Sequence, residues 1–205
     1  MVAASFSVVW RNGIAIALVL GLAGCAADPT GDSSPQEVQA AAYVPKDGPK
    51  LTLITVVNNT SGAGGHSALM VTGSQQVIFD PAGSFRHPEL VERGDVLYGI
   101  TPGWVKAYKS AHARSTYHVV TQEISVSAAQ AERALQLVQA NGAVGSAFCA
   151  NATSGILRQV PGFEDINVTF FPINLQEQVE ARPGVKTDRY YEDDDGNVVD
   201  GIQPA

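Results

Sequence analysis

Three β-rich runs packed between residues 51 and 79, each closed by a turn cluster, constrain the fold more tightly than anything else in the chain. Residues 51–57 form the first run and end in Asn58-Asn59-Thr60-Ser61-Gly62. After Gly62-Ala63-Gly64-Gly65 a second run, 66–71, closes at Thr72-Gly73-Ser74. The third, 76–79, ends at Asp80-Pro81 and Ala82-Gly83. Short β-branched runs bounded by Gly, Pro, Asn and Asp read as strands. Residues 95–100 and 117–126 are further strand candidates. Between them Pro102, followed by Trp104, Val105, Ala107, Tyr108 and Ala111, predicts a helix.

The clearest helix covers 127–140. Ser127 with Gln130 three residues on is a capping box, Ala131, Ala134, Leu135 and Val138 form one face, and Asn141-Gly142 ends it. A second helix is expected over 146–159, with Phe148, Ala152 and Ile156 at helical spacing. Beyond Pro161-Gly162 the chain reads as irregular, with a strand at 168–171 and a short helix near 174–180. At 45% hydrophobic residues in 205, the chain can build one domain with a sizeable core, plus appendages.

The N-terminus is a targeting segment. Arg11 precedes an apolar run, 14–22, too short to span a hydrocarbon core of ~30 Å as a helix. The run ends in Leu22-Ala23-Gly24-Cys25, which resembles a bacterial lipobox. The resemblance implies that Cys25 is diacylated and becomes the new N-terminus, so that acyl chains hold the protein to a membrane. Ala26, rather than Asp, follows the Cys; by the same resemblance this favours the outer membrane, facing the periplasm, in a Gram-negative source. The expected organisation is a signal peptide at 1–24, lipidated Cys25 and a flexible tether at 25–49, a domain at 50–185 and an acidic tail at 186–205. A coil of the tether's length reaches roughly 25–30 Å. In the tail, Asp193-Asp194-Asp195-Gly196-Asn197 fails as a calcium loop, because its register puts Tyr191 and Ile202 at the first and last ligand positions. It reads as a solvated charge run.

Only two cysteines exist, and lipidation consumes Cys25. Cys149 is then left without a disulfide partner in a compartment that favours disulfides. Such a thiol is either a small buried hydrophobe or kept for chemistry. Its position favours chemistry. Gly142-Ala143-Val144-Gly145 leads in, Ser146 is the expected N-cap, and Cys149 falls in the first helical turn. There unpaired N–H groups and the helix dipole stabilise a thiolate and can bind an oxyanion. Of four histidines, His87 precedes Pro88 in a loop, and His112 and His118 read as surface or packing residues. His66 differs, opening a strand directly after small residues that allow close approach. It is the candidate base.

The order of His at a strand head, a polar residue ending the next strand, and Cys at a helix start resembles the permuted papain-like fold. Lecithin:retinol acyltransferase-like proteins and permuted NlpC-type hydrolases share this order. Gly65-His66-Ser67-Ala68-Leu69-Met70-Val71 matches the His strand, and Phe148-Cys149-Ala150-Asn151-Ala152-Thr153 the Cys helix. Asp80 falls at the family's third, orienting position. The resemblance implies an α+β fold, an antiparallel sheet with packed helices, and covers about residues 51–160. No Gln or Tyr just before Cys149 completes an oxyanion hole. The whole chain is also similar to an uncharacterised group of bacterial lipoproteins.

The expected function is a membrane-anchored cell-envelope cysteine hydrolase. Cys149 would attack an amide, thioester or ester, His66 would relay the proton and Asp80 would steady the imidazole. The resemblance allows peptidoglycan peptides or acyl lipids as substrates. The alternative is a non-catalytic envelope lipoprotein that uses the fold as a binding or structural module. No cofactor is expected, and no His, Cys or carboxylate pair has metal-ligand spacing. With a net charge of −7 there is no basic stripe for a nucleic-acid partner.

Overall fold

The computed structural model describes residues 31–83 and 85–192. The expected signal peptide, Cys25 and the run after Glu192 lie outside them. In chain order the elements are α1 (Pro35–Ala40), β1 (Lys50–Asn58), β2 (Gly64–Thr72), β3 (Gln76–Phe79), β4 (Val91–Arg93), β5 (Val96–Tyr98), α2 (Pro102–His112), β6 (Tyr117–Ser125), α3 (Ala128–Asn141), α4 (Cys149–Leu157), α5 (Pro172–Glu180) and β7 (Lys186–Tyr190). The strands form one sheet of order β4-β5-β3-β2-β1-β6-β7, and every pairing is antiparallel. The class is α+β, as expected.

Alternation along the strands divides the core in two. Leu51 and Leu53 of β1 pair with Val71 and Leu69 of β2 and pack against Leu135, Val138, Ile156 and Leu175, from α3, α4 and α5. One residue out of step, Ile54 with Ala68 and Met70 packs against Ala107, Tyr108 and Ala111 of α2. The period of two in the strands thus sends α2 to one face and the last three helices to the other. The turn chemistry holds at α3, where Ser127 and Gln130 cap each other and Gly142 ends the helix at a positive φ of 73°. That backbone conformation is one glycine adopts without a Cβ penalty.

Three segments differ from expectation. Part of the supposed tether is docked. Gly94 N–H donates to Asp32 Oδ1 at 2.9 Å, Arg93 Nη1 to Ser33 O at 2.9 Å, and Gln76 N–H to Tyr43 O at 2.8 Å. Between these, α1 is closed by a capping box of Ser34 and Glu37. The start of the supposed tail is also structural, because Lys186–Tyr190 is the edge strand β7 paired with β6. An edge strand whose residues stay partly or fully exposed needs no hydrophobic alternation, so its polar sequence hid it. Finally, 168–171 is no strand. Val168, Phe170 and Phe171 are exposed, and Phe171 instead caps α5, with Pro172 in the first turn.

Candidate active site

β3 pairs with only the second half of β2, from Leu69↔Phe79 to Thr72↔Gln76. The first half, 64–68, is held by β1 alone and leaves an open edge. Into that edge comes the start of α4, which packs on β2. The approach is close on both sides. A Cβ on Gly64 would stand 2.6 Å from Pro172 Cβ, so a glycine at 64 is required by the fit of α5.

Cys149 is the first residue of α4, rather than the fourth of a helix begun at Ser146. Phe148 occupies the N-cap without a side-chain cap bond, Ser146 is exposed in the preceding turn, and Ala147 sits at a strained φ of 69°. Without a capping side chain, the N–H groups of the first turn stay available to an anion.

His66 stands between a carboxylate and this thiol. Its Nε2 is 2.6 Å from Asp80 Oδ1, which leaves Nδ1 as the ring nitrogen able to serve Cys149. Asp80 is 2% exposed. Burial opposes the charged form of His66, but hydrogen bonds with Asp80 and Cys149, and the negative charges of both, push the imidazole up to about 9. Burial likewise pushes the Cys149 thiol up. The hydrogen bond and charge of His66, together with backbone N–H groups of Ser67 and Ala150, outweigh it and hold the thiol below its ordinary value. Ser67 offers its N–H because β3 stops short of it. For Asp80, burial is outweighed by the hydrogen bond and charge of His66 and by the Tyr108 hydroxyl, which keep the carboxyl below its usual range. The two shifts both favour the imidazolium–thiolate pair over the uncharged pair.

Two turns hold the carboxylate. Asp80 follows β3, and its N–H donates to Asp95 O at 2.8 Å. Asp95, at a φ of 60° in the β4–β5 turn, accepts from Ala82 N–H at 2.9 Å and from Val144 N–H at 2.8 Å through one oxygen, Oδ2. It thereby ties the turn carrying Asp80 to the loop leading into Cys149. Gly83 closes the same turn, where a Cβ would lie 2.3 Å from Asp80 Oδ2.

The expected trio Cys149, His66 and Asp80 is brought together. His87 and His118 lie elsewhere: His87 accepts from Glu89 N–H, and His118 bonds Asn59 Oδ1 at 2.7 Å and stacks on Tyr191. His112 is a packing residue, and what it packs on is His66, with ring centroids 5.9 Å apart and planes at 8°. Tyr108, read only as part of an apolar face, donates its hydroxyl to Asp80 Oδ1 at 2.5 Å. The signal for both was their i, i+4 spacing on one helix. Asp95 carried no comparable mark.

At the other end of β2, on the α2 face, a groove of about 680 Å³ is lined by residues including Lys50, Thr52, Met70, Val105 and Lys109. None of the trio lines it. No family model, no curated protein and no solved structure matches the chain.

Proposed function

We propose that the protein is a cysteine hydrolase of permuted papain-like arrangement, anchored at the cell envelope through lipid on Cys25. The observation that carries the catalytic reading is one imidazole bridging a buried carboxylate and a helix-start thiol. Cys149 Sγ, as thiolate, attacks the carbonyl carbon of an amide, thioester or ester. The oxyanion faces the uncapped N–H groups of α4, and His66 gives its Nδ1 proton to the departing amine, thiol or alcohol. Water then attacks the acyl-thioester, His66 takes its proton, and the thiolate leaves. Asp80 keeps the imidazole oriented throughout.

The test is acyl-enzyme capture. Full-length protein is incubated with short thioesters, activated esters and peptide amides, quenched in acid and examined by mass spectrometry. A mass increase of one acyl group on Cys149, lost in Cys149→Ala and slowed in His66→Ala, supports the reading. Cys149 unmodified by every substrate removes it. The anchor is tested separately: labelled palmitate should mark the parent protein and not Cys25→Ser, and equal labelling would remove the lipobox reading.

One observation favours a second reading, a non-catalytic binding module. The groove beside Lys50 and Lys109 is separate from Cys149 and large enough for a small-molecule ligand. Failure of acyl-enzyme capture would move the function there.

A further inference from the structure

One helix supplies two side chains that pack behind the His66–Asp80 pair. Tyr108 and His112 lie one turn apart on α2 and meet that pair from two directions. The Tyr108 hydroxyl donates to Asp80 Oδ1, the same oxygen that receives His66 Nε2. Asp80 Oδ2 is buried with no hydrogen-bond partner among the described residues, so both donors that fix this carboxylate converge on one atom. A carboxylate held through one oxygen can turn about its Cβ–Cγ bond once either donor is lost. The Tyr108 hydroxyl is therefore half of what aims it.

His112 acts on the ring. Its Nδ1 is 2.8 Å from Tyr108 O, and because a carbonyl only accepts, Nδ1 carries a proton. The imidazole is thus fixed in one orientation, its face parallel to His66 at 5.9 Å. Tyr108 closes the edge of His112 at 4.3 Å, and Phe85 lies 6.2 Å away. While uncharged, such a π-face supports a cation laid over it; a second imidazolium would repel the first. The charged groups that act on His112 are His66 from β2, Asp80 from behind β3 and Arg114 just past α2. Arg114 is itself bound by Glu192. Burial opposes the charged form more strongly than any of these acts on it, and keeps His112 below the ordinary imidazole value.

We propose that Tyr108 and His112 are positioning residues: one fixes the Asp80 oxygen that His66 bonds, and the other supports the His66 imidazolium through its uncharged ring face. The proposal rests on the cysteine-hydrolase reading. It adds that α2, on the opposite face of the sheet from α4, governs the reactivity of the thiol.

The test is the pH profile of iodoacetamide alkylation at Cys149, from pH 5 to 10, on full-length protein. His112→Ala is expected to shift the thiolate inflection upward by about one unit, slowing alkylation at pH 6 about tenfold. His112→Phe keeps a ring face and is expected to stay within about twofold of the parent. Tyr108→Phe is expected to slow the reaction at pH 6 by about threefold and to leave pH 9.5 unchanged. If His112→Ala does not fold, His112→Gln takes its place with the same expected slowing. A parental profile in His112→Ala or His112→Gln, with only a lowered melting temperature, would mean that the ring merely packs and would overturn the proposal. Equal slowing in His112→Phe and His112→Ala would overturn the ring-face argument. His66→Ala separates the two levels: a parental profile there removes the hydrolase reading itself, whereas a changed profile leaves only α2 in question.

Discussion

The two ends of β2 bury charge in different ways. At the far end Lys50 reaches Glu123 at 3.0 Å and Asp47 at 3.3 Å, and Lys109 reaches Asp188 at 3.2 Å. In each pair at least one partner keeps substantial contact with water, so screening limits the energy involved. At the near end His66, Asp80 and Cys149 are drawn inside, each with its ordinary ionisation displaced. Paired charge held in a low-dielectric interior is expensive to keep and stabilises a fold poorly. The near end therefore reads as built for reactivity, and the far end as an ordinary solvated rim. Mutation at the two ends should separate these assignments.

The largest expected contrast is in turnover. Cys149→Ala should abolish acyl-enzyme formation and lower hydrolysis by at least about 10³-fold. Lys50→Ala, on the same sheet, should leave it within about twofold. Steady-state hydrolysis of whichever substrate acylates the parent measures both. Comparable losses at the two ends would break the distinction.

Next comes the thiolate population. At pH 6 a thiol with an ordinary value near 8.5 is below about 1% ionised, and an imidazolium partner raises that fraction strongly. His66→Ala should slow alkylation of Cys149 at pH 6 by roughly 10- to 100-fold. At pH 9.5 the effect should fall to a few-fold, because the thiol ionises without help. Lower basicity reduces intrinsic nucleophilicity only fractionally, so population decides the sign. Slow labelling at every pH, relieved only by unfolding, would identify Cys149 as a packing residue.

How much of this could be read in advance follows from the range of the signals. The three β-rich runs, the Ser127–Gln130 cap and the lone Cys149 are marked by near neighbours in the chain, and each appears in the structure. The pairing of His66 with Asp80 was legible only through resemblance, since fourteen residues and a turn separate them. Asp95 was missed because its two backbone partners, Ala82 and Val144, belong to loops joined only by the fold. His112 was read as a surface or packing residue because its place at a helix end says nothing of the His66 ring on which it stacks. The α1 cap, Ser34-Pro35-Gln36-Glu37, was legible, but the Ala-, Gly- and Pro-rich composition around it obscured the signal.

The pH dependence of stability should differ between the ends by a smaller margin. The His66 imidazole is raised from 6.5 to about 9 in the folded protein. Its contribution is therefore fully present below about pH 6.5 and lost as pH rises through 9. The lowered Cys149 thiol acts in the opposite sense: its contribution is present above the ordinary thiol value and lost as pH falls through its folded value. Since the two charges depend on each other, together they contribute on the order of 1–3 kcal/mol, centred between the two titrations. The urea midpoint of the parent should exceed that of His66→Ala most clearly near pH 7–8, and the gap should narrow by pH 10. Lys50→Ala should show no such peak. A constant gap across this range would mean that His66 contributes packing alone.

The turn beneath Asp80 gives an effect of similar size and different origin. Gly83→Ala would place a Cβ 2.3 Å from Asp80 Oδ2 and 2.5 Å from Asp80 O. A backbone atom cannot be displaced as a flexible side chain can, so the turn must open, costing about 1–3 kcal/mol. Because the strain falls on the orienting carboxylate, alkylation at pH 6 should slow along with the loss of stability. Destabilisation without any change in alkylation would show that Asp80 tolerates displacement, which would weaken its assigned role.

The smallest effect belongs to the solvated rim. Lys50→Met removes the cation from Asp47 and Glu123 while keeping most of the aliphatic stem that lies along the groove. Asp47 is 71% exposed and Glu123 33%, so both can be rehydrated once the ammonium is gone. The expected loss is below about 1 kcal/mol, and it should shrink further in molar salt, where the Debye length falls to about 3 Å. Urea unfolding at low and high salt measures it. A loss of several kcal/mol that salt does not reduce would mean that the far end also holds charge away from water. The groove would then have the same claim to function as the end that carries Cys149.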